Sequence, residues 1–392
     1  MSFSIVFTFV GYYLPGYKSG GPVRTIANMV EHLGDDFDFR IVTRDRDALD
    51  TEPYPDVKID SWNTVGKAQV FYASQETLGL CGVARLLRET PHDVLYLNSF
   101  FSFGFTALPL LARRLGLAPK KPCVIAPRGE FSAGALALKA WKKKAYLRLT
   151  RAVGISSGLA WQASSQHEVD DIRYAIGNTA NNIFIAPNLP SPLQNELQIT
   201  SENNAIADDS YLRIIFLSRV SPKKNLDFAL KVLGQVTVPV VFDIYGVIDD
   251  NAYWDKCSQL INTLPEQIKV FYHGVVNHKD VHELLSGYDL FFLPTHGENY
   301  GHAIYETLAA GVPPLISDQT PWRDLDEKGA GFVRRLADFD EFVSVINAYA
   351  YKTDDERTFF QKSAHDYALQ VASGSEVLEQ NRKLFQLAAC GE

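Results

Sequence analysis

Short apolar runs alternate with amphipathic stretches along most of this 392-residue chain. In the first half the runs are Ser4–Val10, Phe39–Val42, Val94–Leu97, Val124–Ala126, Leu159–Gln162 and Ile183–Ala186, each of strand length. A polar stretch, Gln194 to Ser210, then breaks the alternation. A second series begins at Leu212–Leu217 and continues through Val240–Tyr245, Ile268–Tyr272, Leu290–Leu293 and Pro314–Ile316. Strands regularly interleaved with helical periods predict an α/β chain with parallel sheets. The length favours two domains, with boundaries expected at 1–190, a linker at 191–210, and a second domain from 211 to 374. A last helix is expected over Ser375 to Ala389.

Composition narrows the classes. Hydrophobic content of 46% with 21% charged residues is globular, and a net charge of −8 argues against a nucleic-acid partner. Four scattered cysteines, Cys81, Cys123, Cys257 and Cys390, form no C-x-x-C pair, which argues against a cysteine-rich zinc module and for a reducing compartment. The start, M-S-F-S-I-V-F-T-F-V, lacks a basic leader, and no apolar run reaches the roughly 18 residues of a membrane span. A soluble cytoplasmic protein is expected.

The candidate chemistry gathers where strand-like runs end. Tyr288 to Leu293 leads into P-T-H-G-E-N-Y-G-H-A-I-Y-E-T-L-A-A-G-V-P-P (Pro294–Pro314), where a glycine-containing loop feeds a helix that stops at Gly311. The start of such a helix is an anion seat, flanked here by Glu298 and Glu306. A second seat follows the first strand at Gly20, Gly21 and Pro22, with Arg24 as a possible further phosphate contact. Asn98 and Ser99 end one strand; Arg128 and Glu130 end another, either as site residues or as a structural Arg–Glu pair. The string S-R-V-S-P-K-K-N places Arg219 and Lys224 as two cations suited to a diphosphate, with Lys223 expected to point away; a lysine-rich surface loop is the alternative.

The string H-G-E-N-Y-G-H-A-I-Y-E-T-L-A-A-G-V-P resembles the Glu-x7-Glu donor signature of retaining glycosyltransferases of family 4. That resemblance implies the GT-B fold, two Rossmann-like domains facing a cleft, with residues 375–392 returning to the first domain. It implies a UDP- or GDP-linked sugar as donor and a saccharide or lipid-linked glycan as acceptor. Glu306 would bind the donor ribose; Glu298, Asn299, Tyr300 and Gly301 the donor sugar; Arg219 and Lys224 the leaving diphosphate. Gly20 and Gly21 match the family's first glycine loop. The segments Y-G-V-I-D-D and F-Y-H-G-V-V resemble those holding the nucleobase, and His273 and Glu168 are expected to be structural. The chain departs from relatives in lacking a histidine beside Asn98, Ser99 or Arg128, so Arg128 and Glu130 stand in as catalytic candidates. In A-P-N-L-P, Leu189 replaces the usual glycine.

Residues 138–151 form a basic stretch with Trp141, Tyr146 and Leu149, either a solvated face or a peripheral membrane contact. The Asp-x-Asp pairs Asp36/Asp38, Asp45/Asp47, Asp324/Asp326 and Asp338/Asp340 sit in polar, loop-like settings. Metal-independent chemistry without a cofactor is therefore expected. Two alternatives stay open: a nucleotide-sugar epimerase or phosphorylase on the same fold, and a non-catalytic nucleotide-sugar-binding subunit of a polysaccharide assembly complex.

Overall fold

A computed structural model describes residues 4–137, 140–152, 154–155, 158–177, 180, 182–192 and 211–390. The chain divides into two units, Met1–Leu189 with Gly374–Glu392, and Pro190–Ser373. Most of the expected linker, residues 193–210, lies outside the described residues.

The first unit holds an eight-stranded sheet. Its strands are β1 (Ser4–Phe9), β2 (Phe37–Arg44), β3 (Trp62–Val65), β4 (Ala68–Ala73), β5 (Val94–Asn98), β6 (Cys123–Ala126), β7 (Ala160–Ala163) and β8 (Asn182–Ile185). The spatial order is β3-β4-β2-β1-β5-β6-β7-β8, parallel except for the β3–β4 hairpin. The second unit holds β9 (Leu212–Leu217), β10 (Val240–Tyr245), β11 (Ile268–Gly274), β12 (Leu290–Leu293), β13 (Pro314–Ser317) and β14 (Phe332–Arg334). Their order, β11-β10-β9-β12-β13-β14, is parallel throughout. Strands such as β5 and β12 are buried along their whole length, as a parallel sheet covered by helices on both faces requires.

Each sheet reverses its winding once, between β1 and β5 in the first unit and between β9 and β12 in the second. Ligands of such sheets bind beyond the carboxyl ends of the strands at these switch points. The carboxyl end of β5 and the segments that follow these four strands carry Gly20 and Gly21, Asn98 and Ser99, Arg219 and Lys224, and Glu298 to Gly301. Fold topology thus selects the same loops as the motif chemistry.

Helix Ser375–Cys390 belongs to the first unit. Phe385 packs edge-on against Phe37, Phe39 and Tyr96, and Asn381 donates to the Pro187 carbonyl at 2.8 Å. The sequence reading did not anticipate the β3–β4 hairpin or β14. β3 is mostly solvent-facing and β14 is only three residues long, so neither presents an apolar run.

Candidate active site

In the second unit, hydrogen bonds lace the loop after β9 to the loop after β12. Asn225, held at φ 63°, donates from Nδ2 to the Pro294 carbonyl at 2.9 Å. The Lys223 carbonyl accepts from Thr295 Oγ1 at 3.1 Å and from His296 N at 2.9 Å. This lacing brings the Lys224 ammonium onto the Glu298 carboxylate as an ion pair, its side chains only 14% and 12% exposed. Lys223, expected to point away, instead runs alongside the same loop. Its Cε stands 3.9 Å from where a Cβ on Gly297 would lie.

The loop then turns at Gly301, whose φ of 84° suits glycine. A Cβ there would stand 2.8 Å from Ile304 Cδ1 and 3.3 Å from Trp322 Nε1, while Trp322 Nε1 donates to the Tyr300 carbonyl at 2.5 Å. Helix His302–Ala309 starts here without a side-chain cap, so its first N–H groups keep their affinity for an anion. Gly311, at φ 73°, closes the turn that follows. Glu306, within the helix, lies 3.6 Å from His278 Nδ1. The buried Tyr300 hydroxyl finds no hydrogen-bond partner among the described residues, and burial pushes its ionisation well above the ordinary tyrosine range.

Arg219 is more exposed and pairs with Asp249 at 3.0 Å, rather than with Glu298. The backbone around it is tightly determined. Gly246 takes φ 142°, and a Cβ on it would fall 1.9 Å from the Ser218 carbonyl oxygen. His273 is tied by Nε2 to the buried Asp243 at 2.6 Å and stacks on Tyr245.

In the first unit, Ser99 and Arg128 both sit in the left-handed region, at φ 73° and 58°. Such conformations persist only where surrounding bonds impose them. Arg128 donates to Asn98 Oδ1 at 3.0 and 3.2 Å, to Asn188 Oδ1 at 2.6 Å and to the Tyr96 hydroxyl. Glu130 accepts from Ser99 Oγ and from the Phe100 and Phe101 amides at 2.6 and 3.1 Å. Arg128 and Glu130 therefore do not pair with each other, and the alternative of a structural Arg–Glu pair falls. Burial raises the Glu130 pKa, opposed by those same hydrogen bonds. Glu168, buried, accepts from Gly129 N and from the Ser164 amide and hydroxyl, which fixes the turn beneath Arg128. Asn98 Nδ2 is buried with no hydrogen-bond partner among the described residues, leaving an unused donor at the sheet's carboxyl edge.

Gly20, at φ 67°, caps helix Gly21–Leu33, and its Cβ position opens onto free space. Asp47 is buried and accepts from the Tyr17 and Lys18 amides at 2.8 and 3.1 Å, pinning the loop that leads there. Asp45 is buried as well, against Arg46. The Asp45/Asp47 pair lies in the loop after β2, as expected, and its burial makes it a structural clasp there.

Helix Ala140–Ala152 exposes Trp141 and Leu149 but turns Tyr146 inward onto Phe100 and Phe101; Leu138 and Lys139 lie outside the described residues. Sequence reasoning missed Tyr96, Asn188, His278 and Asp249 as partners of the site residues. Asn188 was within reach, since it is the asparagine of the A-P-N-L-P string.

Two family models match the chain: a glycosyl transferase 4-like domain over residues 20–188, and glycosyl transferases group 1 over residues 199–358. Taken with the fold, they make this chain a GT-B glycosyltransferase of the family 4-like kind. Anabaena Alr3699/HepE, solved in complex with UDP-glucose, superposes with a TM-score of 0.69 at 16% identity, over 97% of this chain and 99% of that one. Sucrose-phosphate synthase from Thermosynechococcus elongatus gives 0.73 at 13% identity, over 99% and 100%. WaaG, a glycosyltransferase involved in lipopolysaccharide biosynthesis, gives 0.67 at 14%, over 98% and 99%. An uncharacterized 41.2 kDa protein in the cps region of Klebsiella pneumoniae is 25% identical over 271 residues, 68% of this chain and 72% of that one.

Proposed function

We propose that this glycosyltransferase moves a sugar from a UDP- or GDP-linked donor to a saccharide or lipid-linked acceptor, with retention and without a metal ion. The observation that carries this reading is the Lys224–Glu298 pair, seated beside the uncapped start of helix His302–Ala309. The donor diphosphate would take Lys224 and Arg219 from their carboxylate partners, and the helix start would add its N–H groups. Glu298, released, would hold a sugar hydroxyl, with Asn299, Tyr300 and Gly301 beside it, and Glu306 the ribose. Gly20 and Gly21 would admit the donor, and Asn98, Ser99 and Arg128 would face the acceptor.

In the step itself the bond from sugar C1 to the diphosphate oxygen breaks, and the acceptor oxygen bonds to C1 on the same face. The acceptor proton passes to the departing diphosphate. Such a step requires no carboxylate nucleophile, and the cations hold the charge that grows on the leaving group. The UDP-glucose complex of Alr3699/HepE supports a nucleotide-sugar donor by analogy. Among the described residues no helix is long and apolar enough to cross a membrane. The exposed Trp141 and Leu149 on a basic helix support peripheral contact instead, and synthesis of cell-surface polysaccharide or lipopolysaccharide is the setting this suits.

The test is a thermal-shift panel of UDP, GDP, ADP and dTDP, with and without EDTA. A ligand of the folded state raises the melting temperature by mass action. One diphosphate should shift it selectively, EDTA should leave the shift intact, and Lys224→Ala should remove it. No shift with any of the four would overturn the donor reading, and loss of the shift in EDTA would overturn the metal-free clamp.

A further inference from the structure

Charge along the chain is strongly segregated. Residues 94–167 contain eleven lysines and arginines and one acidic residue, Glu130, within a protein of net charge −8. Four of those cations, Arg113, Arg114, Lys120 and Lys121, surround a cavity of about 470 Å³ in the first unit. It opens at the amino ends of β6, β7 and β8, where Cys123, Ala160 and Asn182 begin their strands, so Arg128 and Asn98 lie at the opposite edge of the sheet. None of the four cations forms an ion pair among the described residues; Arg113 donates only to the Lys121 carbonyl, at 2.5 Å. Their field is felt nearby: burial depresses the buried His92, and Lys121 and Arg113 push it further down. Apolar side chains, Leu110, Ile155 and Leu159 among them, complete its lining.

Like charges held together without counter-ions repel, so an arrangement of this kind gains most from a multiply charged anion. Two guanidinium forks and two ammonium groups match the oxygens of a tetrahedral oxyanion better than a single carboxylate. We infer that this cavity is a second binding site, separate from the proposed donor site, that takes the phosphate group of a phosphorylated ligand and sets its carbon skeleton against the apolar side chains of the lining. The phosphate belongs either to a soluble phosphomonoester or to an anionic lipid headgroup.

The two sources separate in one experiment on the full-length chain. Glycerol 3-phosphate is titrated calorimetrically against glycerol, and phosphatidylcholine vesicles are co-sedimented with and without phosphatidic acid. Arg114, Lys120 and Lys121 are exposed, so an Arg114→Ala/Lys120→Ala variant leaves the core intact. It is expected to weaken binding of the phosphorylated probe by about tenfold or more, as the loss of two charge-assisted contacts implies, with the melting temperature unchanged. Binding of glycerol 3-phosphate assigns a soluble ligand; binding only of phosphatidic acid vesicles assigns a headgroup. Lys224→Ala should leave either interaction unaltered, which keeps this site apart from the donor reading. If neither phosphorylated probe bound, if the uncharged controls bound equally well, or if the double variant bound like the parent, the inference would be overturned.

Discussion

Gly246 shows how little freedom the backbone beside Arg219 has. Its φ of 142° is open to glycine alone, and a Cβ would collide with the Ser218 carbonyl oxygen at 1.9 Å, an atom of main chain that cannot swing aside. Gly246→Ala is therefore expected to destabilise the second unit by about 2–4 kcal/mol, through overpacking and backbone strain together. Urea unfolding would measure the loss, and a nucleotide diphosphate titration should show weaker binding, because Ser218 leads directly to Arg219. Unchanged stability would mean that the β9 and β10 loops can separate at no cost. At this scale the sequence is informative about residue types and poor about pairings. The Glu298-to-Gly301 loop and Lys224 were legible because glycine, a following helix and paired cations leave a local pattern. The bonds of Asn188 to Arg128 and of Asp249 to Arg219 span 60 and 30 residues, and no local spacing encodes them.

At the scale of elements, helices Leu226–Leu233 and Asn251–Ile261 meet through one buried carboxylate. Asp227 accepts from Tyr253 Oη at 2.7 Å, Lys256 at 2.7 Å and Lys231 at 3.2 Å. Burial raises its pKa, but the bonds from Lys256, Tyr253 and Lys231 outweigh it and bring the value down to about 2. A carboxylate depressed in the folded state stabilises fully above its unfolded value near 4, and the contribution drains away as pH falls toward 2. Both lysines are about half exposed, so solvent screening holds the contribution to about 1 kcal/mol. Asp227→Asn should accordingly lower stability at pH 7, and the gap to the parent protein should close between pH 4 and pH 2 in urea titrations. A gap that persisted at pH 2 would mean that packing, not charge, joins the helices. Mainly apolar strands such as β9, β10 and β12 were legible to the residue. β3 was not, because Trp62 and Thr64 face solvent and break the run that marks a buried strand; β4 was passed over although Val70 to Ala73 form a buried apolar run.

At the scale of the molecule, each unit carries its own hydrophobic core, and the chain's last helix contributes to the first one. Leu384 and Phe385, both fully buried, join the cluster that includes Phe37, Phe39 and Tyr96, more than 280 residues earlier in the chain. Among the described residues, the buried core of the second unit runs from Leu212 to Ala368. Separate cores predict separable unfolding, so one melting temperature need not describe the protein. Phe385→Ala removes a large ring from a packed cluster and should cost the first unit about 3–5 kcal/mol. Calorimetry of this variant should show an early transition moved down, while a nucleotide diphosphate still raises the later one by as much as in the parent protein, because the proposed Lys224–Arg219 clamp lies in the second unit. If both transitions fell together, or the diphosphate lost its effect, the two units would be sharing their stability, and donor binding would depend on the helix that closes the chain.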